Sequence, residues 1–580
     1  MSFIMKRFGD FSGSDNVIYV AFLFAVSALI WNMPNLGGAL TPRNFMGWFG
    51  LILVSVIIFS ISVLNRRLLF SKSLYLLFIP PAAILLHGFL IPPSENMFYY
   101  TWLSAGCAFA FSIYILALLQ VSENSLVWLR FSNVLLLVVL FQLLMSEIIP
   151  LTPFADFVSY ILPIELQATY GGFQQRNLMA SFAATIILWS WALRIKFEKK
   201  INKSWVVFIV CIFMLSFFVF QSGSRTGSIG LIVGSLFLIF SSWNSSAWSK
   251  SKWVLTAIFL ALLIEYLKFF PSLQQAGGGL EGISNLGLDD KNTTIRVMFL
   301  FVSFFAGLEN WAFGHGLGTF SETFYNSYLR LKNDNPEWGF VSGLMHPHNE
   351  LLMQWVELGV YGIVLVVLPY VMILLRLTFA NSFNLFLTIG VSFPIFFHSQ
   401  TETVLHVSGA HWFLFGLAFV SLIKRDFLSE LILNRVVLSV PILLGLIGIY
   451  ISTDAALTAQ KAWNNNNFYK KAKNIDQFVQ RVMAGDELNH WIHGKKAKDS
   501  AVRTLMTYAI YNKDKKAIRN LQPRLFDNAN RVQSRVLWSL VAESFLASGD
   551  LESYKKYLHV IRNFDPKYAE ILNKKFNVTQ

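Results

Sequence analysis

The sequence predicts an all-α, polytopic membrane protein of about thirteen transmembrane helices, followed by a small helical domain. Three observations predict it. Hydrophobic residues fill 55% of the 580 positions and charged residues only 14%, where a soluble protein carries about a quarter charged. Apolar runs of the roughly 20 residues that a spanning helix needs recur along the chain. From about residue 453 the composition turns charged and Asn-rich, with no long apolar run.

The first nine runs lie near 17–34, 45–64, 70–91, 98–119, 126–148, 178–194, 204–221, 228–242 and 253–270. The last four lie near 350–375, 383–399, 408–423 and 434–452. Met1 to Asp15 is short and polar, so the first run reads as a membrane helix and not as a cleaved signal. Lys6/Arg7, Arg66/Arg67/Lys72, Arg194/Lys196/Lys199/Lys200, Lys250/Lys252 and Lys424/Arg425 all fall on one side if the N-terminus is cytoplasmic. The outer side then receives 149–177, 221–227, 271–349, 399–407 and the tail. Two domains follow, 1–452 in the membrane and 453–580 outside it, with a large outer loop at 271–349.

Within that loop, Gly277-Gly278-Gly279 and the solvated turn at Asp289-Asp290 precede an apolar stretch. Val297 to Gly307 reads as a helix lying in or dipping into the membrane. In the tail, Ala501 to Tyr511, Arg531 to Ser548 and Leu551 to Phe564 have helical periodicity. The helix, Gly-Asp turn and helix around Gly549-Asp550 are similar to a tetratricopeptide-like hairpin.

Composition also excludes. A net charge of +14 would suggest nucleic acid in a soluble protein, but here much of it sits in short loops and reads as topology. Cys107 and Cys211 lie inside apolar runs, with no disulfide scaffold or zinc-ligand spacing. Many of the 17 Trp and 19 Tyr lie near the ends of apolar runs, as an interfacial belt would.

The unusual polar groups all fall on the outer side. His346-Pro347-His348-Asn349-Glu350 closes the long polar segment at the start of an apolar helix. Imidazole there suits proton transfer near neutral pH. His348 is placed ahead of His346 as a base because it adjoins Asn349 at the helix start. Asn349 can hold the ring or a sugar hydroxyl. The bland alternative is a helix-start histidine paired with Glu350.

Arg225 lies in Gln221-Ser-Gly-Ser-Arg-Thr-Gly227 between two spans. Its guanidinium, the loop amides and a helix N-terminus suit a phosphate; the alternative is a turn with a snorkelling arginine. Arg296 is a second outer arginine, just before an apolar helix, and together the two suggest a diphosphate clamp. Arg176 is a third candidate. Gln174, Gln175 and Asn177 could orient a sugar or peptide, or cap a helix starting near Leu178. Glu402, with His398, could position a basic partner or serve a structural pair. The outer segments show no dense Asp/Glu/His cluster of the kind a hard cation prefers, so neither metal nor cofactor is expected.

Many spans, an outer Ser-Arg-Thr-Gly turn, a long outer loop and His-Xaa-His-Asn at the start of the next span resemble the O-antigen ligase and polymerase superfamily. Gly172-Phe173-Gln174-Gln175-Arg176-Asn177-Leu-Met-Ala180 and the soluble tail resemble its protein-targeting branch, the bacterial O-linked oligosaccharyltransferases, or pilin glycosylation ligases. That branch often shows His-Ser-Xaa-Xaa-Glu-Tyr-Pro; here His398-Ser399-Gln400-Thr401-Glu402 is followed by Thr403 and Val404. The resemblance implies a GT-C-like glycosyltransferase in the bacterial inner membrane, with its active site facing the periplasm. It implies transfer of a preassembled oligosaccharide from undecaprenyl diphosphate to a Ser or Thr of a periplasmic, pilin-like protein, inverting and without metal. His348 would be the base, and Arg225 and Arg296 would neutralise the leaving diphosphate. The rival readings are ligation to lipid A core, polymerisation of O-antigen, and transport without covalent chemistry. No inverted repeat of the transporter kind is seen in the sequence.

Overall fold

The computed structural model describes residues 11–30, 42–65, 67–70, 72–91, 95–122, 124–148, 175–197, 203–243, 248–267, 291–335, 338, 344, 346–378, 382–422, 429–432, 435–471, 494–532, 534–564 and 566–575. Gln174, Asp289-Asp290 and the triple glycine lie outside the described residues.

The chain is an all-α polytopic membrane protein. In order the helices are α1 (Phe11–Ile30), α2 (Pro42–Asn65), α3 (Ile79–Leu90), α4 (Glu95–Leu119), α5 (Ser125–Ile148), α6 (Arg176–Phe197), α7 (Lys203–Gln221), α8 (Arg225–Ser242) and α9 (Trp248–Leu267). Then come α10 (Lys291–Leu308), α11 (Phe320–Asp334), α12 (Glu350–Gly362), a π-helical turn (Ile363–Val367), α13 (Leu368–Thr378), α14 (Ser382–Ser399), α15 (Val404–Val407), α16 (Gly409–Ser421) and α17 (Arg435–Lys471). The C-terminal helices are α18 (Gly494–Tyr511), α19 (Lys515–Val532), α20 (Arg535–Ser548), α21 (Leu551–Phe564) and α22 (Pro566–Lys575). Each expected span overlaps one or more of these helices, but the run near 70–91 begins in an extended segment and a 3-10 helix (Lys72–Phe78) before α3, and the run near 350–375 is divided by the π-helical turn. Among the described residues, seven helices are long and apolar enough to cross a membrane, and further apolar helices are shorter.

One element lay hidden in the sequence. β1 (Arg67–Phe70) pairs antiparallel with β2 (Ser429–Ile432), in register Arg67↔Ile432 and Phe70↔Ser429. Neither stretch alternates apolar and polar residues, so neither carries the period-2 signal of a strand. The Gln120 side-chain amide extends the ladder, accepting from Leu69 N at 2.7 Å and donating to Leu69 O at 3.1 Å. The ladder joins two loops that charge had assigned to the same side of the membrane.

The described residues divide into two compact units. The first comprises 1–84, 103–290 and 364–457. Its core is built round α6, whose residues from Leu178 to Ile195 are all buried. Such burial inside lipid needs neighbours that approach closely, and small residues allow it. A Cβ on Gly227 of α8 would meet the Ala180 Cβ of α6 at 2.3 Å. One on Gly234 would meet the Gly390 carbonyl of α14 at 2.6 Å, and one on Gly230 would meet Pro394 at 2.9 Å.

The second unit comprises 85–102, 291–363 and 458–580. Here α10 and α11 share one apolar core with α18 to α22, through residues such as Phe299, Phe324, Tyr328, Met506, Leu525 and Trp538. The C-terminal helices pack each on the next in chain order. The helix expected to start at Arg531 instead starts at Arg535, because Arg531 closes α19. α19 itself escaped notice because it is highly charged and holds Pro523 in its interior.

Candidate active site

In the second unit, α12 begins at Glu350 with Asn349 as its N-cap, and the Asn349 side chain accepts from Leu352 N at 2.9 Å. A capped helix start is what Asn before an apolar periodic run encodes. Asn349 therefore fixes the end of the histidine segment instead of only flanking it. His348 has φ 56°, in the left-handed region, where a residue with a Cβ is strained by about 1–2 kcal/mol. Strain of this kind clusters at functional sites. The His348 ring stacks on Phe299 of α10, centroids 5.9 Å apart and planes at 10°. The His346 ring stands edge-on to it at 4.7 Å. Both histidines are half-buried, and Pro347 between them is buried. Arg296 is exposed and lies one turn before Phe299, so it shares the α10 face that carries His348.

What holds this segment was missed by the sequence reading. α12 is broken at Gly359, which has φ 61° and ψ −154°. The glycine-rich loop 309–319 lies against the break. Val360 N donates to Trp311 O at 2.8 Å and Tyr361 N to Ala312 O at 3.0 Å. His315 N donates to Val356 O at 2.9 Å and Gly316 N to Glu357 O at 2.8 Å. The backbone groups freed by the break are thus satisfied. Glu357 is 3% exposed, and its carboxylate accepts from Gly318 N at 3.0 Å. That contact lies at the start of α11, whose own cap, Thr319, makes no side-chain capping bond. The signal was present: a carboxylate inside an apolar run, and glycine at every second position of Gly314-His-Gly-Leu-Gly318.

In the first unit, the two motifs flanking α6 and α8 come together. Ser224 is the N-cap of α8 and accepts from Gly227 N at 3.1 Å. Its hydroxyl donates to Asn177 Oδ1 at 2.9 Å. Of the two roles open to Asn177, capping a helix that starts near Leu178 does not fit, because α6 starts at Arg176. The Asn177 side chain reaches across to the neighbouring turn instead. Two helix N-termini therefore meet, with Arg176 exposed at the head of one and Arg225 half-buried at the head of the other. Helix N-termini and guanidinium groups are the kinds of donor that favour an anion. Gln175 is exposed just before Arg176.

His398 is buried at the end of α14, not at an open surface. The Ser181 hydroxyl of α6 lies 2.7 Å from His398 Nδ1 and 3.0 Å from His411 Nε2. His411 Nδ1 lies 2.7 Å from the Ser408 hydroxyl, the N-cap of α16. This chain joins three helices through groups buried in the membrane domain, and sequence reasoning found only His398 in it. Glu402 is half-buried, and its N–H donates to His398 O at 2.8 Å. Thr403, standing at the tyrosine position of the motif, is buried.

Residues 209–367 match the family model described as O-Antigen ligase, Wzy_C. No curated protein and no solved structure matches the chain. The matched segment takes in Arg225, Arg296, His346, His348, Asn349 and Glu357 but spans only about a quarter of the chain. It supports placing the protein in the O-antigen ligase and polymerase superfamily. The corresponding class of activity is glycosyl transfer from a lipid-linked oligosaccharide to an acceptor.

Proposed function

We propose that this protein transfers a preassembled oligosaccharide from an undecaprenyl-diphosphate carrier to a Ser or Thr hydroxyl of a periplasmic, pilin-like protein. The observation that carries the proposal is the Asn177–Ser224 bond. It ties the Gln-Gln-Arg-Asn segment to the Ser-Arg-Thr-Gly turn, so that two helix N-termini and two arginines serve one anion. A diphosphate leaving group has the charge for such a site. In the reaction, the acceptor oxygen bonds to the anomeric carbon as the bond from that carbon to the diphosphate breaks. His348 takes the hydroxyl proton, and Arg225, Arg176 and Arg296 are the cations for the departing diphosphate. A single displacement inverts the anomeric centre. Glu402, with His398, is a candidate for positioning a basic partner, and Gln174 and Gln175 are candidates for orienting the glycan. No step calls for a metal.

A second reading, ligation of the glycan to lipid A core, is favoured by the description of the matching family. Offering the purified protein undecaprenyl-diphosphate oligosaccharide with either pilin or lipid A core separates the two. Modified pilin and unmodified lipid A core are expected. Modified lipid A core alone would move the protein to the O-antigen ligases.

A further inference from the structure

The loop of the second unit follows α12 along a course that its contacts trace. Phe299 of α10 is level with His348. Further on, Phe304 O accepts from Trp355 Nε1 at 3.0 Å, and a Cβ on Gly307 would meet Trp355 at 2.1 Å. Trp311 and Ala312 then bond to Val360 and Tyr361, and His315 and Gly316 return to Val356 and Glu357. The chain thus runs down beside α12 from His348 to Tyr361, turns, and comes back. Its tip is also held to α3, where His87 Nε2 lies 2.7 Å from Phe313 O, and to α4, where Tyr100 lies against Gly318.

The depth of this tip follows from helix geometry. The candidate span Glu350–Ile373 has 24 residues, which at 1.5 Å each gives about 36 Å. The hydrocarbon core is about 30 Å thick, so about 6 Å is surplus. Tyr361 lies about 16 Å along the helix from Glu350, more than the whole surplus. The tip therefore reaches the acyl region on the His348 side, even if all the surplus projects on that side. Irregular backbone at such depth is tolerated only where its polar groups are paired, and the break at Gly359 provides the pairing.

The outward face of this segment is apolar and aromatic. Phe301, Phe304, Phe305, Leu308, Trp311 and Phe313 are each 39–59% exposed. Positions 301, 304, 305 and 308 form one stripe along α10. The polar groups nearest the tip are paired: Glu309 with Arg330 and Ser327, and Asn310 Nδ2 with Gly314 O at 2.5 Å.

We infer that residues 301–313 form a re-entrant aromatic wedge whose exposed face contacts the lipid of the leaflet on the His348 side, deepest at Trp311 and Phe313. Its occupant is bilayer lipid because the face is continuous with the span Glu350–Ile373 and runs from the headgroup–acyl boundary, where aromatic side chains are favoured, into the acyl region at its tip. The wedge would couple the catalytic segment to the membrane surface, since Phe299, the partner of His348, lies on the same helix.

Spin labels on the full-length protein in lipid nanodiscs test it. With Cys107 and Cys211 replaced by alanine, single variants Phe301→Cys, Leu308→Cys and Phe313→Cys are labelled. Collision rates with oxygen and with an aqueous nickel chelate are then measured. Val440→Cys on α17 gives the lipid reference and Tyr511→Cys on α18 the aqueous one. The expected ratio of oxygen to nickel accessibility rises from Phe301 to Leu308 to Phe313, where it approaches Val440 and exceeds Tyr511 several-fold. Ratios like that of Tyr511, shielding from both reagents, or no gradient would each overturn the inference. Where one variant fails to fold, Phe304→Cys and Phe305→Cys report on the same stripe.

Discussion

His348 combines a strained backbone, a stacked ring and a capped neighbour, and each can be removed separately. Asn tolerates the left-handed region better than other residues with a Cβ, so His348→Asn should keep the loop while removing the base. Loss of a general base typically costs 10²–10⁴-fold in rate, and transfer is expected to fall by about that much with the melting temperature unchanged. His348→Gly should be equally inactive and more stable by roughly 1 kcal/mol, because the strain is relieved. A measured melting temperature lower than that of the wild type would contradict the strained geometry. Asn349→Ala should cost about 1 kcal/mol through the lost cap, with transfer reduced but present. At the proposed anion site, Ser224→Ala breaks the bond to Asn177. It should raise the KM for the lipid donor more than it lowers kcat, because it loosens the site without removing either arginine.

At the level of elements, helix contacts set by glycine are the sharpest constraint. Gly227→Leu places a side chain where even a Cβ would meet Ala180 at 2.3 Å. Forced separation of α6 and α8 should cost about 1–3 kcal/mol and open the proposed anion site, read as lost donor binding. Gly359→Ala meets Trp311 O at 2.5 Å in a left-handed conformation. It should release loop 309–319 from α12, seen as faster hydrogen exchange at Val360 and Tyr361. In the C-terminal array, Asp550 accepts from Ser553 N at 2.9 Å at the start of α21. That backbone bond holds its carboxyl below the usual carboxylate range. A carboxyl with a depressed folded pKa contributes stability above its unfolded pKa and loses it as pH falls through the folded one. Protection of α21 should therefore be greater than in Asp550→Asn at neutral pH, and the difference should vanish in acid. A difference that persists after protonation would assign the effect to something other than the carboxylate.

For the whole molecule, the helical spans were legible because lipid demands long apolar runs. The Asn177–Ser224 and His398–Ser181–His411 links were not legible. They join residues 47 and 217–230 positions apart, and nothing local announces such partners. His348 and Asn349 stood out because a polar pair at a helix start has local meaning, whereas Ser181 and His411 looked like ordinary members of apolar helices. The β1–β2 ladder, α11 and the break at Gly359 were missed for a related reason: their stability comes from partners distant in sequence, not from their own pattern. The glycine-rich loop shows the limit most clearly, since its glycines mark close approach but not to what.

The central claim is that this membrane protein moves a glycan with His348 as the base. The most direct test is transfer from undecaprenyl-diphosphate oligosaccharide to pilin, measured side by side for the wild type and His348→Asn in the same lipid. The account predicts glycosylated pilin with the wild type and a loss of at least about 100-fold with the variant, both proteins binding the donor equally. Transfer by His348→Asn at the wild-type rate would contradict it and pass the role of base to His346.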